Sequence, residues 1–280
     1  MPKIRSLAFV VNDDKAGAQS LEKELSVIAK KRGVKHKRTS RLTLPTGYLT
    51  GVDACCVIGG DGTLLGAAAE AARAHVPIIG INQGSLGFLT TFSADDARSG
   101  FDKLLDGSFK TESRALLECS VGENLSDLAL NDVLVKSATN SHLIRLEVYA
   151  NEKLVTDYLC DGIIFSTPTG STAYTLSAGG PIIHPSSKVI AMTPICPHTL
   201  SNRSIIFDES VKLRVKNCSE GTNLLVAIDG RRNLRVTKDS PVRIGVSKQH
   251  LALIHQSNYE HFSVVREKLK WSGGFSDSKR

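Results

Sequence analysis

The stretch that decides the fold is Ala54-Cys55-Cys56-Val57-Ile58-Gly59-Gly60-Asp61-Gly62-Thr63. Residues 54–58 form a continuous apolar run of the kind a buried strand carries. The alanine-rich segment 64–74 that follows predicts a helix. A glycine turn between strand and helix suits a phosphate, because backbone N–H groups at a helix start point at an anion. Here the turn holds a carboxylate where a phosphate loop normally carries a lysine. A carboxylate beside phosphates repels them unless it holds a metal or takes a proton from an attacking hydroxyl. The run therefore points to phosphoryl transfer to an alcohol, with Gly59, Gly60, Gly62 and Thr63 facing phosphate and Asp61 a metal ligand or base. As a bare pattern it also fits an ordinary turn with Thr63 as helix cap. It is not a GxxxxGK[ST] loop, and Leu65 stands where the third glycine of a dinucleotide fingerprint belongs.

Working outward, strand and helix signals alternate. Residues 6–11 read as a short strand ending in the turn Asn12-Asp13-Asp14. Segment 16–31 carries Ala18, Leu21, Leu25, Ile28 and Ala29 at helical spacing. A strand at 77–81 and a helix at 95–105, ended by Gly107, continue the pattern. Such a βαβ series implies a parallel sheet, with ligands at the carboxyl ends of its strands. The loops 59–63 and 82–87 both follow strands and are expected on one crevice.

After about residue 113 the texture changes to short alternating segments. Ile144-Arg145-Leu146-Glu147-Val148, Val211-Lys212-Leu213-Arg214-Val215 and Val242-Arg243-Ile244-Gly245-Val246 read as half-buried strands, and Asn151-Glu152-Lys153 as a hairpin tip. Pro181, Pro194 and Pro197 are expected in long loops. The fold class is α/β: a Rossmann-like α/β domain over 1–112, an antiparallel β-sandwich over 113–252, and a tail, 253–280, expected to pack back on the first domain.

The totals narrow the function. Of 280 residues, 41% are hydrophobic and 22% charged, as in a globular protein with a sizeable core. Aromatics at 5% are too few for the stacking platforms of single-strand nucleic-acid binders. The net charge of +7 fits nucleotide partners and ordinary surface variation equally well. The basic run Lys30-Lys31-Arg32 with Lys35, Lys37 and Arg38 reads as a solvated face at a helix end. The six cysteines show neither CxxC pairs nor zinc spacing, and read mostly as buried thiols of a reducing compartment. The apolar run 7–11 is too short for a signal peptide, and no stretch reaches membrane-spanning length, which places the chain in the cytoplasm.

A second constellation is more specific. Asp161-Gly162-Ile163-Ile164-Phe165 leads into Ser166-Thr167-Pro168-Thr169-Gly170-Ser171-Thr172-Ala173-Tyr174, then Thr175-Leu176-Ser177 and Ala178-Gly179-Gly180-Pro181. The hydroxyl-rich loop is expected to offer N–H groups and hydroxyls to sugar and phosphate oxygens, with Tyr174 stacking on a base or nicotinamide ring. Leu130-Asn131-Asp132-Val133 adds an Asn–Asp pair able to grip ribose hydroxyls or a carboxamide. Asp229-Gly230 reads as a turn by default and as a site residue only by association. The histidines lack metal spacing, and His184 and His198, each beside a proline, read as structural.

Together these elements resemble the NAD kinase family over roughly residues 7–271. Residues 59–63 match its GGDGT motif, Asn131-Asp132 its second motif, and 161–174 its signature loop; Pro194-Ile195-Cys196-Pro197-His198-Thr199-Leu200-Ser201-Asn202-Arg203 matches a further stretch. GGDGT alone is shared with diacylglycerol and sphingosine kinases; the STPTGSTAY loop discriminates. The resemblance implies a site between the two domains and transfer of the γ-phosphoryl group of ATP, with a divalent metal such as Mg²⁺, to the 2′-hydroxyl of the adenosine ribose of NAD. It makes Asp61 the base. It implies NAD contacts at Asp61, Gly62, Asn131, Asp132, His142, Asp161, Thr172, Ala173, Tyr174, Thr175, Leu176 and Ser177, no metal ligand from the protein, and a homodimer or homotetramer without nucleic-acid or membrane partners. The chain departs from the family at Ser85, where Arg is frequent, and at Arg231, where a neutral polar residue is frequent. A kinase with a lipid acceptor and a non-catalytic nucleotide sensor remain as rival readings. ATP against polyphosphate, NAD against NADH, oligomer size and feedback by NADPH stay open.

Overall fold

The computed structural model describes residues 3–84, 87–122, 125–139, 143–199, 201–236, 240–256 and 259–271. The chain divides into two compact units, Met1–Glu112 with Ala252–Arg280, and Ser113–Leu251. Among the described residues no helix is long and apolar enough to cross a membrane.

The first unit opens with β1 (Ser6–Val11), α1 (Ala18–Lys31), β2 (Lys35–Thr39), β3 (Ala54–Gly59), α2 (Asp61–Ala74), β4 (Ile78–Asn82) and α3 (Ala94–Leu105). The four strands pair in parallel in the order β2-β1-β3-β4. Every residue of β3 and β4 is buried, which is why both read as unbroken apolar runs. Side chains of α1 and α3 pack with the strands in one core that includes Phe9, Leu21, Leu25, Ile58 and Phe101.

Several features of this unit differ from the sequence reading. Helix α2 begins at Asp61, not Leu64: Gly60 is its extended N-cap, and Thr63 and Leu64 both donate to the Gly60 carbonyl. Thr63 therefore lies inside the first turn and caps nothing. Helix α3 starts one residue early because Ser93 caps it, Oγ accepting from Asp96 N at 3.1 Å while Ser93 N donates to Asp96 Oδ2 at 2.9 Å. The basic run splits: Lys30 and Lys31 sit in the last turn of α1, whereas Lys35, Lys37 and Arg38 belong to the exposed edge strand β2. Charges there blunt an edge that would otherwise pair with another chain.

The second unit follows with β5 (Lys110–Val121), β6 (Leu125–Ala129), β7 (Asp132–Ser137), β8 (Ile144–Ala150), β9 (Lys153–Cys160), β10 (Gly162–Ser166), a 3₁₀ turn (Thr169–Thr172), α4 (Tyr174–Ser177), β11 (Val189–Ile195), β12 (Ile205–Asp208), β13 (Leu213–Asn217), β14 (Leu224–Ile228), β15 (Arg232–Val236) and β16 (Val242–His255). One layer is the antiparallel sheet β12-β11-β10-β7-β14-β15. The other joins β9, β8, β13 and the start of β16. Val133, Val135, Phe165 and Val226 of the first meet Leu146, Val148, Leu213 and Ile244 of the second in a single sandwich core. The tip between β8 and β9 is Asn151-Glu152, both with positive φ, as the twist of a tight hairpin requires.

Pro194 is not in a loop but within β11, opposite Ile163. Strand β12 pairs only with Val189–Met192, so β11 has a free edge at 194 where a residue without an N–H is tolerated. Pro181 and Pro197 do lie in loops. Cys55, Cys56, Cys119 and Cys160 are buried, and burial pushes the Cys55, Cys119 and Cys160 thiols up to about 12; Cys196 is exposed instead. The end of β16 returns to the first unit, where Leu253 and Ile254 pair in parallel with Ile78 and Ile79. Helix α5 (His261–Leu269) follows.

The Ser93 capping box sets a stability test. Ser93→Ala should lower unfolding free energy by about 0.5–2 kcal/mol in urea titrations, the ordinary worth of such a cap, with an unchanged denaturant slope.

Candidate active site

Parallel pairing places Gly59 opposite Asn82, so the loops that leave β3 and β4 meet, and Gln83 N donates to the Gly59 carbonyl at 2.8 Å. Between them sits Asp61, the first residue of α2, where the positive end of the helix dipole favours a carboxylate. Four donors hold that carboxylate. Phe88 N reaches Oδ2 at 2.8 Å; Leu89 N, Thr90 N and Thr90 Oγ1 reach Oδ1 at 3.2, 2.9 and 2.8 Å. Gly87 lies flush against the group: a Cβ there would come within 2.0 Å of Asp61 Oδ1. Gly59 is excluded from carrying a side chain by Thr63 Oγ1 at 2.4 Å, whereas a Cβ on Gly60 would meet open space. Thr63 is buried, and its hydroxyl accepts from Asn12 Nδ2 at 3.4 Å. Ser85 lies outside the described residues.

In the second unit, Asp229 and Gly230 form the tight turn between β14 and β15, both with positive φ. The Asp229 carboxylate accepts from Leu130 N at 2.9 Å, Asn131 N at 2.7 Å and Asp132 N at 3.1 Å. Burial raises its pKa, against the pull of those three amides. The signature loop docks on the same segment. Thr167 N donates to the Asn131 carbonyl at 2.9 Å, Thr167 Oγ1 to the Leu130 carbonyl at 2.6 Å, and a Cβ on Gly170 would strike Asn131 O at 2.0 Å. Asp132 is thereby fixed at the start of β7. Burial first, and the neighbouring Asp229 charge second, push its carboxyl up to about 7.

A cavity of about 480 Å³ opens on this segment. Asn131, Asp132, Ala173 and Tyr174 line it, together with Leu134 and Lys136 of β7, Leu225 and Ala227 of β14, Asp229, Gly230 and Asn233. The strand residues are the outward half of an alternation whose inward half, Val133 and Val135, fills the core. Sequence reasoning missed Leu134 and Lys136, although that alternation carries the signal, and gave Asp229 a site role only by association with its neighbours.

The hydroxyl-rich loop does not point its hydroxyls outward as expected. Ser166, Thr167, Thr169, Ser171 and Thr175 are buried. Ser171 Oγ donates to the Pro168 carbonyl at 2.6 Å and accepts from Ile183 N at 3.0 Å, and Thr172 Oγ1 turns to the Thr169 carbonyl at 3.3 Å. The Thr167, Ser171 and Thr172 hydroxyls secure the turn, and the loop presents Ala173 and the exposed Tyr174 ring to the cavity. Leu176 is half-buried and Ser177 exposed on α4, off the cavity wall, and Asp161 is exposed at the head of β10. His142 lies outside the described residues. Burial lowers the pKa of the half-buried Arg231 beside Asp229. Among the described residues no three His, Cys, Asp or Glu side chains gather to hold a metal ion.

The family profiles for the ATP-NAD kinase N-terminal domain and C-terminal domain match residues 5–109 and 130–256. This chain belongs to the ATP-NAD kinase family. It is 42% identical over 224 residues to the NAD kinase of Erwinia tasmaniensis, covering 79% of this chain and 77% of that protein. To the NAD kinase of Photorhabdus laumondii subsp. laumondii it is 39% identical over 249 residues, 88% of this chain and 84% of the relative. The crystal structure of an NAD kinase from Archaeoglobus fulgidus in complex with ATP superposes with a TM-score of 0.80 at 26% identity, covering 96% of this chain and 100% of that one. Yeast NADH kinase complexed with NADH shares the fold at a TM-score of 0.88 and 21% identity, over 100% of this chain and 91% of the other. Within the ATP-NAD kinase frame, the N-terminal match carries the Asp61 carboxylate and the C-terminal match the Asp132 cavity.

The raised Asp132 pKa has a stability signature. Its ordinary value is 3.8, so the folded protein binds this proton more tightly than the unfolded chain. Stability from this group is complete below about pH 4 and declines as pH rises to about 7. Asp132→Asn should therefore raise the thermal midpoint relative to wild type more at pH 8 than at pH 5; a pH-independent difference would contradict the shift.

Proposed function

We propose that this chain is an NAD kinase that transfers the γ-phosphoryl group of ATP to the 2′-hydroxyl of the adenosine ribose of NAD, giving NADP and ADP. The observation that carries this reading is the Asp61 carboxylate, held at a glycine-flanked strand-to-helix junction in a chain of the ATP-NAD kinase family. A protonated ribose hydroxyl is a poor nucleophile. Asp61 takes its proton as the new O–P bond forms, the β,γ-bridging bond breaks towards ADP, and the carboxylic acid then returns the proton to solvent. Base assistance of this kind supplies roughly 10²–10⁴-fold, and in-line positioning and charge stabilisation supply most of the rest.

The ATP phosphates run past Gly59, Gly60, Gly62 and Thr63 at the start of α2, where the helix dipole favours an anion. The four donors on Asp61 absorb much of its charge, which lets a carboxylate stand beside phosphates. In the second unit Asn131 and Asp132 grip ribose hydroxyls, Ala173 shapes the cavity wall and Tyr174 stacks on a ring of the dinucleotide. Gly62, His142, Asp161, Thr172, Thr175, Leu176 and Ser177 complete the acceptor contacts by resemblance; Thr175, being buried, contributes through its backbone. A divalent cation, Mg²⁺ by resemblance, supplies phosphate charge neutralisation and enters bound to ATP. A cytoplasmic homodimer or homotetramer is the proposed working form.

Incubation of the purified protein with ATP, magnesium and NAD should yield NADP, and a parallel panel of lipid alcohols should yield no phosphorylated product. Asp61→Asn should lower kcat by roughly 10²–10⁴-fold with NAD binding retained. Asp132→Ala should raise the NAD KM at least about tenfold, a hydrogen bond to a charged group being worth about 1.5–3 kcal/mol. Near-normal turnover by Asp61→Asn removes Asp61 from the base role.

A further inference from the structure

The two oxygens of Asp61 are not equivalent. Oδ1 accepts from Leu89 N, Thr90 N and Thr90 Oγ1, whereas Oδ2 accepts only from Phe88 N among the described residues. A carboxylate has about four acceptor sites, two on each oxygen. Three donors crowd Oδ1, while Oδ2 keeps a site open. We infer that Oδ2 of Asp61 receives the hydroxyl proton and that Thr90 is the residue that positions it, an inference that rests on the reading of Asp61 as base.

Thr90 is fully buried, and its hydroxyl sits in a directional relay. Asn82 Nδ2 donates to Thr90 Oγ1 at 2.8 Å, so the single hydroxyl proton is free to go to Asp61 Oδ1, also at 2.8 Å. Asn82 is itself anchored at the end of β4, opposite Gly59, with its backbone N–H on the Phe92 carbonyl at 2.8 Å. The relay thus ties carboxylate rotation to the sheet. With the hydroxyl in place, Oδ1 is filled and one lone pair of Oδ2 faces the acceptor. That lone pair takes the 2′-hydroxyl proton while the hydroxyl oxygen bonds to the γ-phosphorus and the bridging oxygen leaves with its electron pair on ADP. Without the hydroxyl, the remaining amide donors hold the carboxylate less firmly, and base geometry suffers while substrate binding does not. Thr90 touches neither substrate; it acts through Asp61.

The test compares Thr90→Val, Thr90→Ser and Asp61→Asn in steady-state NADP formation, with circular dichroism and thermal midpoints as folding controls. Thr90→Val keeps the branched shape and loses the hydroxyl; its kcat should fall about tenfold or more, short of the roughly 10²–10⁴-fold lost with the base itself. The KM values for NAD and ATP should stay within about threefold, a split that lost packing does not produce. Thr90→Ser, which restores the hydroxyl, should recover kcat to within about threefold of wild type. If Thr90→Val does not fold, Thr90→Ala is read in the same way. Wild-type kcat in Thr90→Val beside an inactive Asp61→Asn overturns the positioning role and leaves the base role intact. Equal losses in the Val and Ser variants overturn it too, because packing alone then accounts for them. Full activity in Asp61→Asn removes the base and the inference with it.

Discussion

The carboxylate of Asp61 stands at a glycine-flanked strand-to-helix junction, and the backbone around it in the first unit is arranged to hold it. Asp61 gains from the dipole of α2, but that alone is worth only about 0.3–1 kcal/mol at an exposed site. The larger contribution is the row of donors from residues 88–90, since hydrogen bonds to charged groups are worth about 1.5–3 kcal/mol each. Those donors reach Asp61 only because Gly87 has no side chain and because β4 pairs in register with β3. A shift of one residue between these strands would separate Asn82 from Gly59 and pull the donor row away from the carboxylate. The register of two buried strands and the absence of one Cβ thus determine where the Asp61 carboxylate oxygens point.

The second unit uses the same device for a different end. Asp229 receives the three consecutive N–H groups of residues 130–132, as Asp61 receives those of 88–90. Consecutive amides converging on an anion make a concave nest that stabilises negative charge without a cation. At Asp229 the nest is filled by a buried side chain, and its product is geometry: it holds Asn131 and Asp132 at the cavity. Burial first, with the like charge of Asp229 added, pushes that second carboxyl, Asp132, up to about 7. A structural carboxylate therefore tunes a neighbouring one that faces ligand space.

Much of the fold was legible because its signals are local. Strand β1 spans Ser6–Val11 as read, and β3 and β4 betray themselves as apolar runs because helices and neighbouring strands cover them. Strand β2 went unread because an exposed parallel edge made of Lys, His and Arg has no apolar periodicity. The start of α2 was placed three residues late because Gly60 and Gly62 are poor helix formers and only tertiary hydrogen bonds overrule that. Pro194 reads as a loop residue because a sequence does not show that the pairing of β11 with β12 stops at Met192, two residues earlier.

The site divides along the same line. Asp61, Asn131, Asp132 and Tyr174 stand out in the sequence by their side-chain chemistry, and the structure brings Asn131, Asp132 and Tyr174 to one cavity. The partners that hold Asp61 do not stand out, since backbone amides 27 to 29 residues further along the chain leave no trace in residue type. Thr90 was invisible for a related reason: a threonine in an apolar stretch reads as core until the hydroxyl is seen between Asn82 and Asp61. The hydroxyl-rich loop failed in the opposite sense. Composition suggested an array of ligand contacts, but most of those hydroxyls are buried, and several secure the loop's own backbone and leave Ala173 and Tyr174 on display. A hydroxyl-rich cluster can thus act at one remove, by holding in place the few groups that face the cavity. Residue type reveals which chemistry a segment can supply, whereas the direction of each backbone donor is a property of the folded chain alone.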